Sequence, residues 1–443
     1  MAASFSRAGR GIMEARILPS RILNGVNLVA RQFGGFTGAM VLGSQVALGA
    51  DSCLDLPSAT RAAIRVSESV QIANAAVDEA GAQLDQARAG VLPSVVLSGS
   101  ATRQDASTPS ETLTGSRIVL TQPLFKGGRE YALLRSARAQ VDAGTAKVAG
   151  TRIKTGREIT ASYFSVLAAQ AEVASLSELS KLSERRLGEI KSRIAIGRSR
   201  ATDGLGAEAQ VSSARAQLDG ARIQLESSLR ALVSATGINA ASVCDVTLGD
   251  LPFANWDDIK VKVLARPDLI AERIALNMAG EGVKVARAGH LPSLDLSGNY
   301  YLKRPDTRFS SGDWDVTLNA SLPLFSGGGV SAAVREAKAR ESQQSMRAQL
   351  AERVAIDEAR DLWEKYQASR KQSGLLEDSA SKSDAWYRRV AQDERMGLAT
   401  SLETLQALNS SIDARRAAVK ARVQLAQTWR TLLLAMGETG GDS

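Results

Sequence analysis

The chain has 443 residues, 44% of them hydrophobic but only 4% aromatic, which suits long helices packed through small side chains better than a bulky globular core. One His and two Cys exclude His-pair catalysis, a His-rich metal site, a four-cysteine zinc site and a dense disulfide framework. The net charge of +8 is uneven. Arg7, Arg10, Arg16, Arg21 and Arg31 against Glu14 give +4 in the first fifty residues, so 8 − 4 = +4 is left for the rest, too little to point to nucleic acid.

The leading arginines precede an apolar stretch over 33–48, and Ala47-Leu48-Gly49-Ala50 offers small residues to a signal peptidase. Residues 1–50 therefore read as a secretory leader, with a disordered leader or a transit peptide as the alternatives. Ala50-Asp51-Ser52 is a poor setting for lipid attachment at Cys53. No other segment has the ~18–20 continuous apolar residues of a membrane helix.

From Asp51 onward the chain repeats itself. Ala87-Arg88-Ala89-Gly90-Val91-Leu92-Pro93-Ser94 recurs 199 residues later as Ala286-Arg287-Ala288-Gly289-His290-Leu291-Pro292-Ser293. Pro123-Leu124-Phe125-Lys126-Gly127-Gly128 recurs at an offset of 200 as Pro323-Leu324-Phe325-Ser326-Gly327-Gly328, and Gly197 and Gly237 match Gly397 and Gly437. A near-constant offset over so long a span means duplication. The boundaries drawn are 51–237 for the first repeat, 238–255 for a linker, 256–437 for the second repeat and 438–443 for a tail.

Each repeat has one order of elements. An alanine-rich helix (57–90; 256–289) ends at Leu-Pro-Ser. Two short alternating segments follow, separated by a polar loop, with Pro93, Pro123, Pro292 and Pro323 marking the strand–helix junctions. A Gly-Gly pair then opens a long helix (129–196; 329–396), and past Gly197 or Gly397 another helix runs to Gly237 or Gly437. The segments around Leu294–Leu302 and Trp314–Leu322 alternate apolar and polar residues, as membrane strands or half-buried soluble hairpins do. The long helices carry 3-4 spaced seams, such as Ile159, Ser162, Val166, Ala169, Val173 and Leu176, which lets them pair antiparallel as coiled coils.

Lengths tie these parts together. A helix over 129–196 is about 100 Å long, and the helices over 202–236 and 57–90 are about half that, so two short ones laid end to end match one long one. The seam between them falls beside Cys53 and Cys244. That placement favours a disulfide in an oxidising compartment, with two partly buried thiols as the alternative. Four strands cannot close a cylinder, and an open edge in lipid leaves backbone groups unpaired. Copies must therefore join, and three give twelve strands.

These landmarks together resemble the TolC-like outer-membrane factor family over 53–437. The resemblance implies a mainly α fold with some β: long antiparallel helices forming a periplasmic α-barrel, and four membrane strands per chain in a twelve-stranded barrel shared by a homotrimer. It implies a passive exit duct in contact with outer-membrane lipid, meeting a periplasmic membrane-fusion adaptor and, through it or at the tip, an inner-membrane ABC or proton-driven transporter. Type I protein secretion is slightly favoured over multidrug or metal efflux, and no cofactor or enzymatic activity is implied. A soluble periplasmic coiled-coil scaffold is the alternative class. Carried over residue by residue, Ile196, Gly197 and Thr202, and Met396, Gly397, Leu398 and Thr400, form the two tip turns that meet the adaptor. Asp203 and Glu403 are the candidate acids of a constriction. Glu394, Ala399 and Gln406 stand where the best-known family member has an aromatic, an Arg and an acid, a departure from the pattern of its familiar latch of salt bridges and hydrogen bonds.

Overall fold

A computed structural model describes residues 53–104, 111–249, 255–304 and 312–438. The expected leader, the centres of both polar loops, part of the linker and the end of the tail lie outside the described residues.

Helix α1, Leu56–Val66, starts at Asp55, whose carboxylate accepts the Ser58 N–H at 3.1 Å, with Pro57 in the first turn, where a missing N–H costs nothing. Helix α2, Glu68–Ala89, follows directly. One helix was expected over 57–90. The backbone of Ser67 leaves helical geometry at ψ 118° and divides it in two. The same division recurs in the second repeat between α5, Trp256–Leu264, and α6, Pro267–Ala288. There the Pro267 ring disfavours helical backbone at Arg266, which sits at ψ 140°.

Strands β1 (Ser94–Gln104), β2 (Glu111–Lys126), β3 (Ser293–Lys303) and β4 (Trp314–Ser321) form one antiparallel sheet in the order β1-β2-β3-β4. Pro93 and Pro292 immediately precede β1 and β3, and Pro323 lies just past β4. Pro123 is instead inside β2, at a register shift against β3, where an absent N–H is tolerated. The register gathers most of the apolar residues on one face, with Val96 and Val119 as exceptions on the face of Asn299. Leu97 faces Ile118, Leu120 faces Gly298, Ile118 faces Tyr300, Leu296 faces Leu318 and Tyr300 faces Trp314. Directly paired residues share a face, so the other face carries Asp295 with Asn319, Ser297 with Thr317 and Asn299 with Asp315.

The long helices α3, Arg129–Ala195, and α7, Gly329–Arg395, leave the sheet at Gly127-Gly128 and Gly327-Gly328, all four at positive φ. Each has 67 residues, about 100 Å of helix at ~1.5 Å per residue. They return as α4, Ala201–Thr236, and α8, Ser401–Ala435. Towards the sheet, α2 packs on α3, α3 on α6 and α6 on α7; towards the far end α4 packs on α3, α3 on α8 and α8 on α7. In both halves α2 or α4 forms one edge and α7 the other, in step with β1 and β4 at the sheet edges. Among the described residues, no helix is long and apolar enough to cross a membrane.

Candidate functional site: the helical tip, the equatorial clasp and the strand face

Both tips are built on one plan. Gly197 and Gly397 take φ of 73° and 78°, a left-handed geometry that glycine adopts without a Cβ clash. The N–H of Arg198 then reaches back to Arg193 O at 2.8 Å, and that of Leu398 to Asp393 O at 2.8 Å, which closes each helix end. Ile196, Met396 and Leu398 are left exposed at the turns, as is Thr202 in the first turn of α4.

Asp203 and Glu403 sit at the third position of α4 and α8, and each is engaged locally. Asp203 Oδ2 accepts the Arg200 N–H at 3.1 Å and the Ser199 hydroxyl at 2.9 Å. Glu403 Oε2 accepts the Thr400 N–H at 2.7 Å and its hydroxyl at 2.9 Å, while Thr400 Oγ1 accepts the Glu403 N–H at 3.2 Å. This is a capping box, legible in the spacing Thr400-x-x-Glu403, which the family comparison passed over. The bond from the Thr400 backbone, then that from its hydroxyl, hold the Glu403 carboxyl below the usual glutamate range.

The sequence reading missed the acid that joins the two hairpins. Glu394 is only 8% exposed. Its Oε1 accepts Arg186 Nη2 at 2.6 Å and Arg193 Nη1 at 2.7 Å, both from α3. Arg186 also donates to Ser401 Oγ of α8 at 3.0 Å. Burial pushes the Glu394 carboxyl up, but the bonds from Arg186 and Thr404 and the charges of Arg186 and Arg193 together bring it below its ordinary value. Beside this junction a cavity of about 210 Å³ opens between α3, α4 and α8, with Ile190, Ala207, Leu402, Leu405 and Leu408 in its wall. Nothing in local spacing marked the junction, because its partners are some 200 residues apart; the shared offset of the repeats was the available signal.

Midway along α3, the start of the described chain is clasped to the linker. Cys53 and Cys244 form a disulfide with Cα atoms 5.0 Å apart. Leu54 and Val243 pair as a parallel bridge. The fully buried Tyr163 hydroxyl shares its proton between Leu54 O at 2.9 Å and Cys244 O at 2.8 Å. Burial, reinforced by Asp55, pushes that phenol up to about 12. Gln170 completes the clasp, accepting Val243 N–H at 2.9 Å and donating to Val243 O at 3.3 Å. At the same level Arg266 reaches Asp268 at 2.7 Å and Glu358 at 3.1 Å, and Arg157 reaches Glu358 at 2.6 Å, tying α3 to α6 and α7.

A duplicated strand–strand–long helix–helix unit, with a sheet apolar on one face, is thus in place. The family model described as outer membrane efflux protein matches residues 60–238 and 262–438, both copies of that unit. The chain belongs to this family. Its place is accordingly the outer membrane. Outer membrane protein TolC of Vibrio cholerae serotype O1 is 22% identical over 275 residues, 59% of this chain and 63% of that protein. The proteases secretion protein PrtF of Dickeya chrysanthemi is 24% identical over 430 residues, covering 88% of this chain and 89% of that one. The crystal structure of the outer membrane protein VceC from Vibrio cholerae superposes with a TM-score of 0.76 at 22% identity, covering 86% of this chain and 96% of that one. The open state of the Neisseria gonorrhoeae MtrE outer membrane channel has the same fold, with a TM-score of 0.74 at 22% identity, covering 87% of this chain and 89% of that one.

Proposed function

We propose that three copies of the chain form the outer-membrane exit duct of a tripartite export system. The observation that carries this reading is the matched pair of open edges. A four-stranded sheet with an exposed apolar face cannot stand alone in lipid, because β1 and β4 each leave a row of backbone groups unpaired. Joining the β4 edge of one copy to the β1 edge of the next satisfies both, and three copies close twelve strands. The same join brings the apolar face of α7, with Leu350, Val354, Leu375 and Trp386, against the α2 and α4 edge of its neighbour, with Ile72 and Ile223. The face bearing Val95, Leu97, Val316 and Leu318 then meets lipid, and the polar face with Asp295, Asn299 and Asp315 lines the pore.

The helices continue the pore as a tunnel in the periplasm, and the tip turns at Gly197 and Gly397 receive a membrane-fusion adaptor linked to an inner-membrane transporter. Residues 1–50 act as the export leader. Substrate passes without chemistry. Protein secretion is favoured over small-molecule efflux by the long match to a protease secretion protein and by Cys53, whose sulfur is held in the disulfide and not free to carry lipid. The test is deletion of the gene from its host. Loss of a protein from the medium with unchanged drug and metal susceptibility supports secretion. Raised susceptibility with an unchanged set of exported proteins supports efflux. Recovery of the purified protein as a water-soluble species without detergent supports a scaffold instead.

A further inference from the structure

The cavity beside the Glu394 junction joins an apolar wall to donors that the chain itself does not satisfy. Ile190, Ala207, Leu405 and Leu408 make the wall apolar, and the exposed Leu402 stands at its rim. Ser183 and Arg186 line it from α3. They are three residues apart, so they share one face of that helix. Ser183 is only 3% exposed, yet its hydroxyl has no hydrogen-bond partner among the described residues, and the buried Arg186 Nε has none either. Arg186 gives Nη2 to Glu394 and Ser401 and Nη1 to Glu189, which leaves Nε–H as its spare donor. Buried donors without partners cost free energy, and native chains keep few of them. From α4, Gly206 lines the same cavity. A Cβ there would meet nothing within 4 Å, so the glycine weakens its helix and leaves room.

We propose that this cavity is a binding site for a small uncharged molecule with one ring and one acceptor oxygen. The ring lies against Ile190, Leu405 and Leu408, and the oxygen accepts from Ser183 Oγ and Arg186 Nε. The volume of about 210 Å³ sets the size, since a cavity of roughly 150 Å³ holds benzene and the excess suits a short polar substituent. The surroundings set the charge. Arg186 and Arg193 are already matched by Glu189 and Glu394, and Asp203 stands in the same wall, so an anion would be desolvated beside a carboxylate with no unmatched cation to receive it. A bound molecule touches α3 of the first hairpin and α8 of the second, and it therefore favours the arrangement in which the two are held together. The site lies within one chain and is independent of the duct reading.

The test is equilibrium dialysis of the full-length protein, held in amphipol, against three probes of one shape: acetophenone, its hydrocarbon isostere α-methylstyrene, and benzoate. Gly206→Leu, which fills the cavity, gives the background for partition into the amphipol. The wild type is expected to retain acetophenone above that background and to bind it about fivefold more tightly than α-methylstyrene, as one added hydrogen bond allows. Benzoate is expected to bind no better than the hydrocarbon. Ser183→Ala is expected to bring acetophenone down towards α-methylstyrene. Acetophenone is also expected to raise protection from hydrogen exchange over 186–193 and 394–401 in the wild type. Equal retention of acetophenone by the wild type and Gly206→Leu shows a cavity that takes solvent only and overturns the proposal. Equal binding of acetophenone and α-methylstyrene, or a preference for benzoate, overturns it as well. If Gly206→Leu does not fold, Ser183→Ala decides: a lost preference for acetophenone supports the site, and an unchanged one overturns it.

Discussion

The two repeats share a plan and differ in how much of it each copy buries. Along α3, buried side chains recur from Ala132 to Ile190, because this helix is flanked by α2 and α6 in one half and by α4 and α8 in the other. Along α7, the buried residues are Ala355, Ala359, Tyr366, Ser373 and Glu394. The strands repeat the contrast: β2 and β3 are paired on both sides, while β1 and β4 are paired on one. Each repeat therefore ends in an open edge, β1 with α2 and α4 in the first and β4 with α7 in the second, and these are the edges that the proposed trimer joins.

The first way to sharpen the comparison is the equatorial clasp, found on the first repeat. Its disulfide closes a separation of 191 residues, worth about 5 kcal/mol in the chain-entropy view, the largest effect expected here. Cys53→Ser is expected to remove the mobility difference between reduced and non-reduced gels and to lower the heat resistance of the assembly. Identical mobility of the wild type with and without reductant contradicts the bridge.

The second is the tie between hairpins. Glu394→Gln leaves Arg186 and Arg193 facing a neutral amide in a buried place, with an expected cost of about 3 kcal/mol. Because the folded-state value of Glu394 lies below the ordinary 4.5, its contribution is present above that value and is lost as pH falls through the lower folded-state value. Protection against hydrogen exchange over 186–193 and 394–401, taken relative to the intrinsic rate at each pH, is expected to fall in acid in the wild type and to be low already at neutral pH in the variant. Equal protection in both proteins at neutral pH contradicts the tie.

The third compares equivalent glycines. A Cβ on Gly127 would lie 2.8 Å from Leu291 Cβ and 2.9 Å from Ala288 O, whereas one on Gly327 meets nothing within 4 Å. Gly127→Ala is expected to cost about 2–3 kcal/mol through both clash and backbone, and Gly327→Ala about 1 kcal/mol through backbone alone. Thermal unfolding followed by circular dichroism reads the difference, and equal losses would show that the two junctions are not distinguished by packing. The smallest effect is Thr400→Ala, about 1 kcal/mol for loss of a helix cap and local to the second tip.

The order of elements was legible because duplication doubles every signal. Leu-Pro-Ser, Pro-Leu-Phe and the turn glycines would each be weak alone, and the spacing of about 200 makes them one pattern. The strand face was legible too, since alternation survives wherever one side must be apolar. The breaks at Ser67 and Arg266 were not read. At Arg266 the signal is Pro267, which stands between two stretches of helical composition. The roles of Glu394 and Tyr163 could not be read locally, because their partners come from other elements that only folding brings together.

The central claim is that the chain completes its edges with copies of itself. Native mass spectrometry of the detergent-extracted full-length protein tests it directly. The account predicts a single species of three chains that dissociates only on heating. A monodisperse one-chain particle, soluble once detergent is withdrawn, would contradict it.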